Sequence, residues 1–104
     1  MKGKYDDWIT GKSYKVKMNK KYKKRKDALL ERFDEKFYVA MGQDVYEVNE
    51  VGARIFELCN GKNDIEEISR KISSHFNVDN NQVLEDVIIY TQMLYENTLI
   101  EIIE

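Results

Sequence analysis

The sequence predicts an α+β fold in which a three-stranded antiparallel sheet is followed by three helices. Two observations carry this: short β-rich runs separated by turn-forming residues fill positions 28–48, and the apolar spacing changes to a helical period after Asn49. A third is the segment Asn49-Glu50-Val51-Gly52-Ala53-Arg54-Ile55-Phe56-Glu57-Leu58-Cys59-Asn60-Gly61, which reads as the seam between sheet and helices.

Residues 1–26 lack sustained periodicity, although Tyr14, Val16 and Met18 alternate with Lys15 and Lys17 in the manner of a short strand. They read as a basic, flexible N-terminal arm with room for one strand, and residues 27–104 as the domain. Leu29-Leu30 with Phe33, then Phe37 to Met41, then Val45 to Val48 are the three strands of a meander. Asp34-Glu35 and Gly42-Gln43-Asp44 between them favour turns. Val51, Ile55, Phe56, Leu58 and Cys59 fit a helix that Asn60-Gly61 ends through a residue able to turn left-handed. Asp64 caps the second helix with Glu67 completing a capping box, and Ile65, Ile68, Ile72 and Phe76 give its buried stripe as far as Asn77. Asp79 or Asn80 opens a longer third helix to about Asn97, with Leu84, Val87, Ile88, Thr91, Leu94 and Tyr95 on one face. Leu99 to Ile103 closes the chain as a short strand or extended tail.

At 104 residues the chain is one domain with little room for a deep catalytic cavity. No apolar run approaches the roughly 20 residues of a membrane span, and Met1 to Asp7 does not open a signal peptide. The reading is a cytoplasmic protein without a membrane contact, and the single cysteine, Cys59, excludes an internal disulfide or a cysteine-ligated cluster. Nucleophilic chemistry needs a base and a charge stabiliser beside the nucleophile, yet His75 and Cys59 are the only residues of their kinds. His75 falls in the last turn of the second helix, where an imidazole suits the helix carbonyls, and Cys59 sits among core apolar residues. Metal-ligand spacings and phosphate-cradling glycine loops are both lacking, so no enzyme activity, metal or cofactor is expected.

Charge is uneven. Residues 1–49 hold 13 Lys/Arg against 8 Asp/Glu, whereas residues 50–104 hold 4 against 11, and Lys12 to Lys26 contains nine basic residues and no acid. The run Lys20-Lys21-Tyr22-Lys23-Lys24-Arg25-Lys26 suits phosphate contacts, but the third helix has no Lys or Arg and carries Glu85, Asp86 and Glu96. A nucleic-acid reading is therefore the alternative rather than the main one. Contact with an acidic peptide, docking on a partner enzyme or plain solubility are the other roles for the arm, in which Trp8 and Tyr14 could serve as anchors.

The strand ending Val45-Tyr46-Glu47-Val48-Asn49, the helix start Gly52-Ala53-x-Ile55, and Asn60-Gly61-Lys62 together resemble the PqqD-like family of peptide chaperones. So do Ile65-x-x-Ile68, Asp86-Val87 and Leu94-Tyr95-Glu96-Asn97-x-Leu99-Ile100. This winged helix-turn-helix module is also known as the recognition element of ribosomally made, post-translationally modified peptides (RiPPs). The resemblance covers about residues 28–102, and departs from the family where Asn97-Thr98 stands in place of a usual glycine, in the short loop between the second and third strands, and in the basic arm, which belongs to no family motif. It implies that an unstructured leader peptide adds as a strand to the free edge of the third strand and lays apolar side chains against the third helix. The resemblance further implies a non-catalytic role in natural product biosynthesis, with a modifying enzyme as partner, often a radical-SAM enzyme. Mapped onto this chain, the pairing strand is Val45, Tyr46, Glu47 and Val48, and the groove is Val87, Tyr90, Met93 and Leu94. Independently, Ile89, Tyr90 and Met93 lie off the main face of the third helix, giving it a second apolar stripe. That stripe either receives a peptide or widens the core contact. Pairing of the free edge with a second copy, giving a homodimer, is a further reading.

Overall fold

Two tight turns fix the register of the sheet. The computed structural model of the chain describes residues 16–103. Strands β2 (Leu29–Phe33), β3 (Lys36–Met41) and β4 (Asp44–Val48) form an antiparallel sheet in that order. Asp34 (φ 54°) and Glu35 (φ 64°) join β2 to β3 with both turn residues left-handed, as a type I′ hairpin requires. Gly42 (φ 62°) takes the positive φ between β3 and β4, which glycine adopts without strain. The pairs Leu30↔Val39↔Tyr46 and Phe37↔Val48 stand on the face toward the helices, with Val39 and Val48 buried. Leu29↔Ala40↔Val45 forms a row on the opposite, solvent-facing side.

Beyond β4 the backbone turns directly into helix α1 (Glu50–Leu58), because the Asn49 side chain caps it by accepting from the Gly52 N–H at 2.8 Å. Asp64 caps α2 (Ile65–Phe76) in a capping box: its carboxylate accepts from Glu67 N–H at 2.9 Å while Glu67 accepts from Asp64 N–H at 2.8 Å. Asn77 ends α2 at φ 56°, and Asp79 caps α3 (Asn80–Glu96). The sheet and helices enclose a core in which Ile55, Phe56, Ile65, Ile68, Ile72 and Leu94 are almost wholly buried. Among the described residues no helix is long and apolar enough to cross a membrane.

Two features differ from the sequence reading. Helix α1 stops at Leu58, capped where Cys59 N–H reaches Ile55 and Phe56 oxygens, and Asn60-Gly61 belongs to the turn that follows. The other is strand β1 (Lys21–Lys24), which lies within the segment read as an arm and pairs antiparallel with β5 (Ile100–Ile103). Val16 and Met18 are outside any strand, and Tyr14 and Trp8 lie outside the described residues. Tyr22 explains why β1 docks. Its side chain is fully buried, and its hydroxyl accepts from Lys17 N–H at 2.6 Å and donates to Lys17 O at 2.9 Å. The other edge of β1 is bonded to the α1–α2 connection: Lys24 N–H donates to Cys59 O at 2.9 Å and Gly61 N–H to Tyr22 O at 2.7 Å. Packed structure therefore reaches back to Val16, which is itself buried.

Thr98 connects α3 to β5 at φ 58°, a conformation that a β-branched residue adopts at a cost. Thr98→Gly should stabilise the fold by about 1 kcal/mol, read as a rise in the urea midpoint at constant m. Burial raises the Tyr22 hydroxyl from 10 to about 12, against the lowering effect of its Lys17 bonds, and burial likewise raises the Cys59 thiol from 9 to about 12. The unfolded chain thus loses these protons first as pH rises, so the stability these two groups contribute is intact below pH 9 and is lost between there and pH 12. Denaturant titrations across that window should give a shallower loss for a Tyr22→Phe/Cys59→Ala variant, compared with its own value at neutral pH.

Candidate functional site

Among the described residues strand β4 has a neighbour on one side only, so its outer edge is left open by them. The two-residue turn closes on Met41↔Asp44, and antiparallel pairs alternate between bonded and non-bonded. Asp44, Tyr46 and Val48 therefore turn their backbone groups toward β3, whereas the N–H and C=O of Val45 and Glu47 point outward along the edge. The side chains divide differently. Tyr46 is half-buried and Val48 buried on the helix side, while Val45, 59% exposed, and Glu47 stand on the outer face. Glu47 lies 3.9 Å from the Lys36 ammonium, with both side chains more than half exposed, an arrangement worth little energy.

The second wall is α3, brought to the end of β4 by one residue pair. The Tyr90 ring lies against Gly52 so closely that a Cβ on residue 52 would stand 2.4 Å from it. The Tyr90 hydroxyl in turn accepts from Asn49 N–H at 3.4 Å, one residue beyond β4. Met93, one turn further on, is half-buried against the core. What the arrangement offers is a row of main-chain donors and acceptors that no other described residue pairs, beside an aromatic and aliphatic wall.

Residues 35–100, more than half the chain, match the PqqD family, described as coenzyme PQQ synthesis protein D. The chain belongs to the PqqD family. Two solved structures place this PqqD-family chain among known folds. TbiB1 in complex with the TbiA(beta) leader peptide aligns with a TM-score of 0.62 at 23% identity, over 76% of this chain and 94% of that one. The PqqD truncation of Methylobacterium extorquens PqqCD, solved by solution NMR as a functional, stand-alone RiPP recognition element, aligns with a TM-score of 0.66 at 12% identity. That alignment covers 77% of this chain and 87% of the other. At these identities the likeness establishes the fold, the α+β winged helix of the PqqD family. No curated protein sequence matched significantly.

Within this PqqD-family chain the eight residues singled out from sequence separate into two groups. Val45, Tyr46, Glu47, Tyr90 and Met93 all keep accessible surface around the β4 edge and the α3 wall, and Val48 lies beneath them. Val87 and Leu94 stand apart as a correction: none of their surface is accessible, because the face of α3 they occupy is the one that packs on the core. They support the wall from behind and cannot line it.

Part of the basic run is taken up by the fold. The Lys24 ammonium sits 5.5 Å from the Phe56 ring centroid and the Arg25 guanidinium 3.9 Å from Glu101. His75 stacks edge-on against Phe76 at 4.7 Å, in the last turn of α2 as expected. Cys59 is completely buried, and its raised thiol disfavours the thiolate that nucleophilic or metal-binding chemistry needs. Among the described residues no group of three or more His, Cys, Asp or Glu could hold a metal ion.

One feature escaped the sequence reading. A cleft of about 320 Å³ opens where the start of α1, the end of α2 and the start of α3 meet, lined by Val51, Ile72, Phe76, Val78 and Val83, with Gln82 and Asp86 at its rim. The available signal was Val78, an apolar residue isolated in the loop between Asn77 and Asp79, and it is 42% exposed.

Gly52→Ala should cost about 1–3 kcal/mol in chemical denaturation, because the new methyl overlaps the Tyr90 ring. Tyr90→Ala should relieve part of that cost in the double variant, giving a favourable coupling in the cycle; additive costs would show that the contact is not the constraint.

Proposed function

We propose that this chain is a non-catalytic recognition element that binds the leader of a ribosomally made precursor peptide and presents it to a modifying enzyme. The observation that carries the reading is the free edge of β4, with Val45 and Glu47 directing main-chain groups outward beside Tyr90 and Met93. A leader added there gains main-chain hydrogen bonds along its length, and its side chains alternate between two environments. Those on the helix side meet Tyr46, Tyr90 and Met93, and those on the outer side continue the row Leu29, Ala40, Val45. Membership of the PqqD family and the likeness in fold to TbiB1, solved in complex with a leader peptide, support the same reading. A radical-SAM enzyme in the cytoplasm is the partner we assign, following the PqqD-like resemblance. Tethering the leader raises the effective concentration of the attached core peptide at that enzyme, to about the millimolar range for a short flexible link.

The test is a calorimetric titration with the leader of a short precursor peptide encoded beside the gene. Saturable binding near micromolar affinity that survives moderate salt is expected. Val45→Pro and Glu47→Pro each delete an outward donor and should weaken binding about fivefold or more. Unchanged affinity in both would sink the strand-addition reading. Concentration-dependent mass in place of leader binding would instead indicate that the edge pairs with a second copy.

A further inference from the structure

We infer that the cleft between α1, α2 and α3 is a selectivity pocket for an apolar leader side chain flanked by Lys or Arg. This deepens the leader-binding reading and rests on it. The cleft lies across the Tyr90–Gly52 contact from the β4 groove: Val51 lies three residues past the end of β4, and Asp86 one helical turn before Tyr90, whose hydroxyl bonds the backbone at Asn49. Val51, Ile72, Phe76, Val78 and Val83 give it an aliphatic and aromatic lining, and at about 320 Å³ it has space for one large side chain. Val78 at its mouth remains 42% exposed, an apolar surface that the fold itself leaves uncovered.

Charge identifies what sits beside the anchor. Neither wall contains a cation: positions 41–53 and 72–103 hold no Lys or Arg, while Asp44, Glu47, Glu50 and Asp86 are acidic and exposed. Asp86 at the rim is exposed and forms no ion pair within the described residues. Lys36 beside Glu47 offsets one of these charges, and the remaining acids disfavour an acidic peptide and draw in a basic one. The matching ligand is an extended peptide with a Leu, Ile, Phe or Tyr anchor and a basic residue beside it.

The experiment is selection of a random linear peptide display library on the full chain, followed by anisotropy titrations of a selected peptide. Enriched sequences should share an apolar residue with Lys or Arg close to it. Asp86→Lys should weaken binding of that peptide about tenfold, Asp86→Asn less, and Val78→Ser should also weaken it. The thermal midpoint of the Asp86 variants should stay put, since the side chain is exposed and forms no ion pair among the described residues. Enriched peptides that lack a basic residue, or affinity indifferent to Asp86→Lys, would overturn the pocket assignment; if Val45→Pro still abolishes their binding, leader recognition stands without it. Failure to enrich any peptide would remove both.

Discussion

The Tyr90 ring occupies the space where a side chain on residue 52 would have to be, and the geometry around β4 follows from that exclusion. Because residue 52 is glycine, α3 crosses the first turn of α1 at ring contact rather than a methyl group further out. The same ring carries its hydroxyl to the backbone at Asn49, the residue whose side chain caps α1 and ends the sheet. One close approach thus ties the last strand, the first helix and the third helix at a single corner. The groove beside β4 and the cleft beyond it are the two spaces left on either side of that corner.

A second closure holds the opposite part of the molecule. Pairing of β1 with β5 joins segments about 80 positions apart, and Tyr22 fills the space beneath them. Asn63 consolidates this region from the helix side: buried itself, it donates to Leu58 O at 2.9 Å and accepts from the Lys71 ammonium at 2.7 Å. Its own carbonyl receives Tyr22 N–H at 3.3 Å. The lysines around Tyr22 thereby have a structural context. Lys21 and Lys23 alternate outward from a strand that needs only one buried residue per turn of the pleat, so a basic sequence is compatible with a fixed place in the fold.

The sheet, the three helices and their starts were legible because each is written locally. Asp34-Glu35 and Gly42 mark the hairpins, Asn49, Asp64 and Asp79 mark helix starts, and the isoleucines of α2 recur at helical spacing. Strand β1 was not legible, since a single tyrosine among lysines has no period and its partner lies at the far end of the chain. The division of α3 between core and surface was half legible. Helix α3 has apolar residues on more than one side, and sequence alone does not say which side the core takes; burial assigned Val87 and Leu94 inward and left Tyr90 and Met93 at the surface. The cleft depended on three helix ends converging, a tertiary fact that Val78 only hinted at.

The hairpin turns have a thermodynamic consequence for anything that adds to β4. With both turns two residues long, the register of β4 is fixed before a ligand arrives, and its outward groups already stand at strand spacing. The receiving edge is preorganised, so the loss of conformational freedom on association falls on the incoming chain alone, at about 1–2 kcal/mol for each backbone residue it orders. Affinity is then set by how many residues the newcomer must freeze. A short, stiff segment would hold the edge for longer than a long one making the same contacts, and extra length beyond the corner at Gly52 would improve binding only where a side chain finds a pocket.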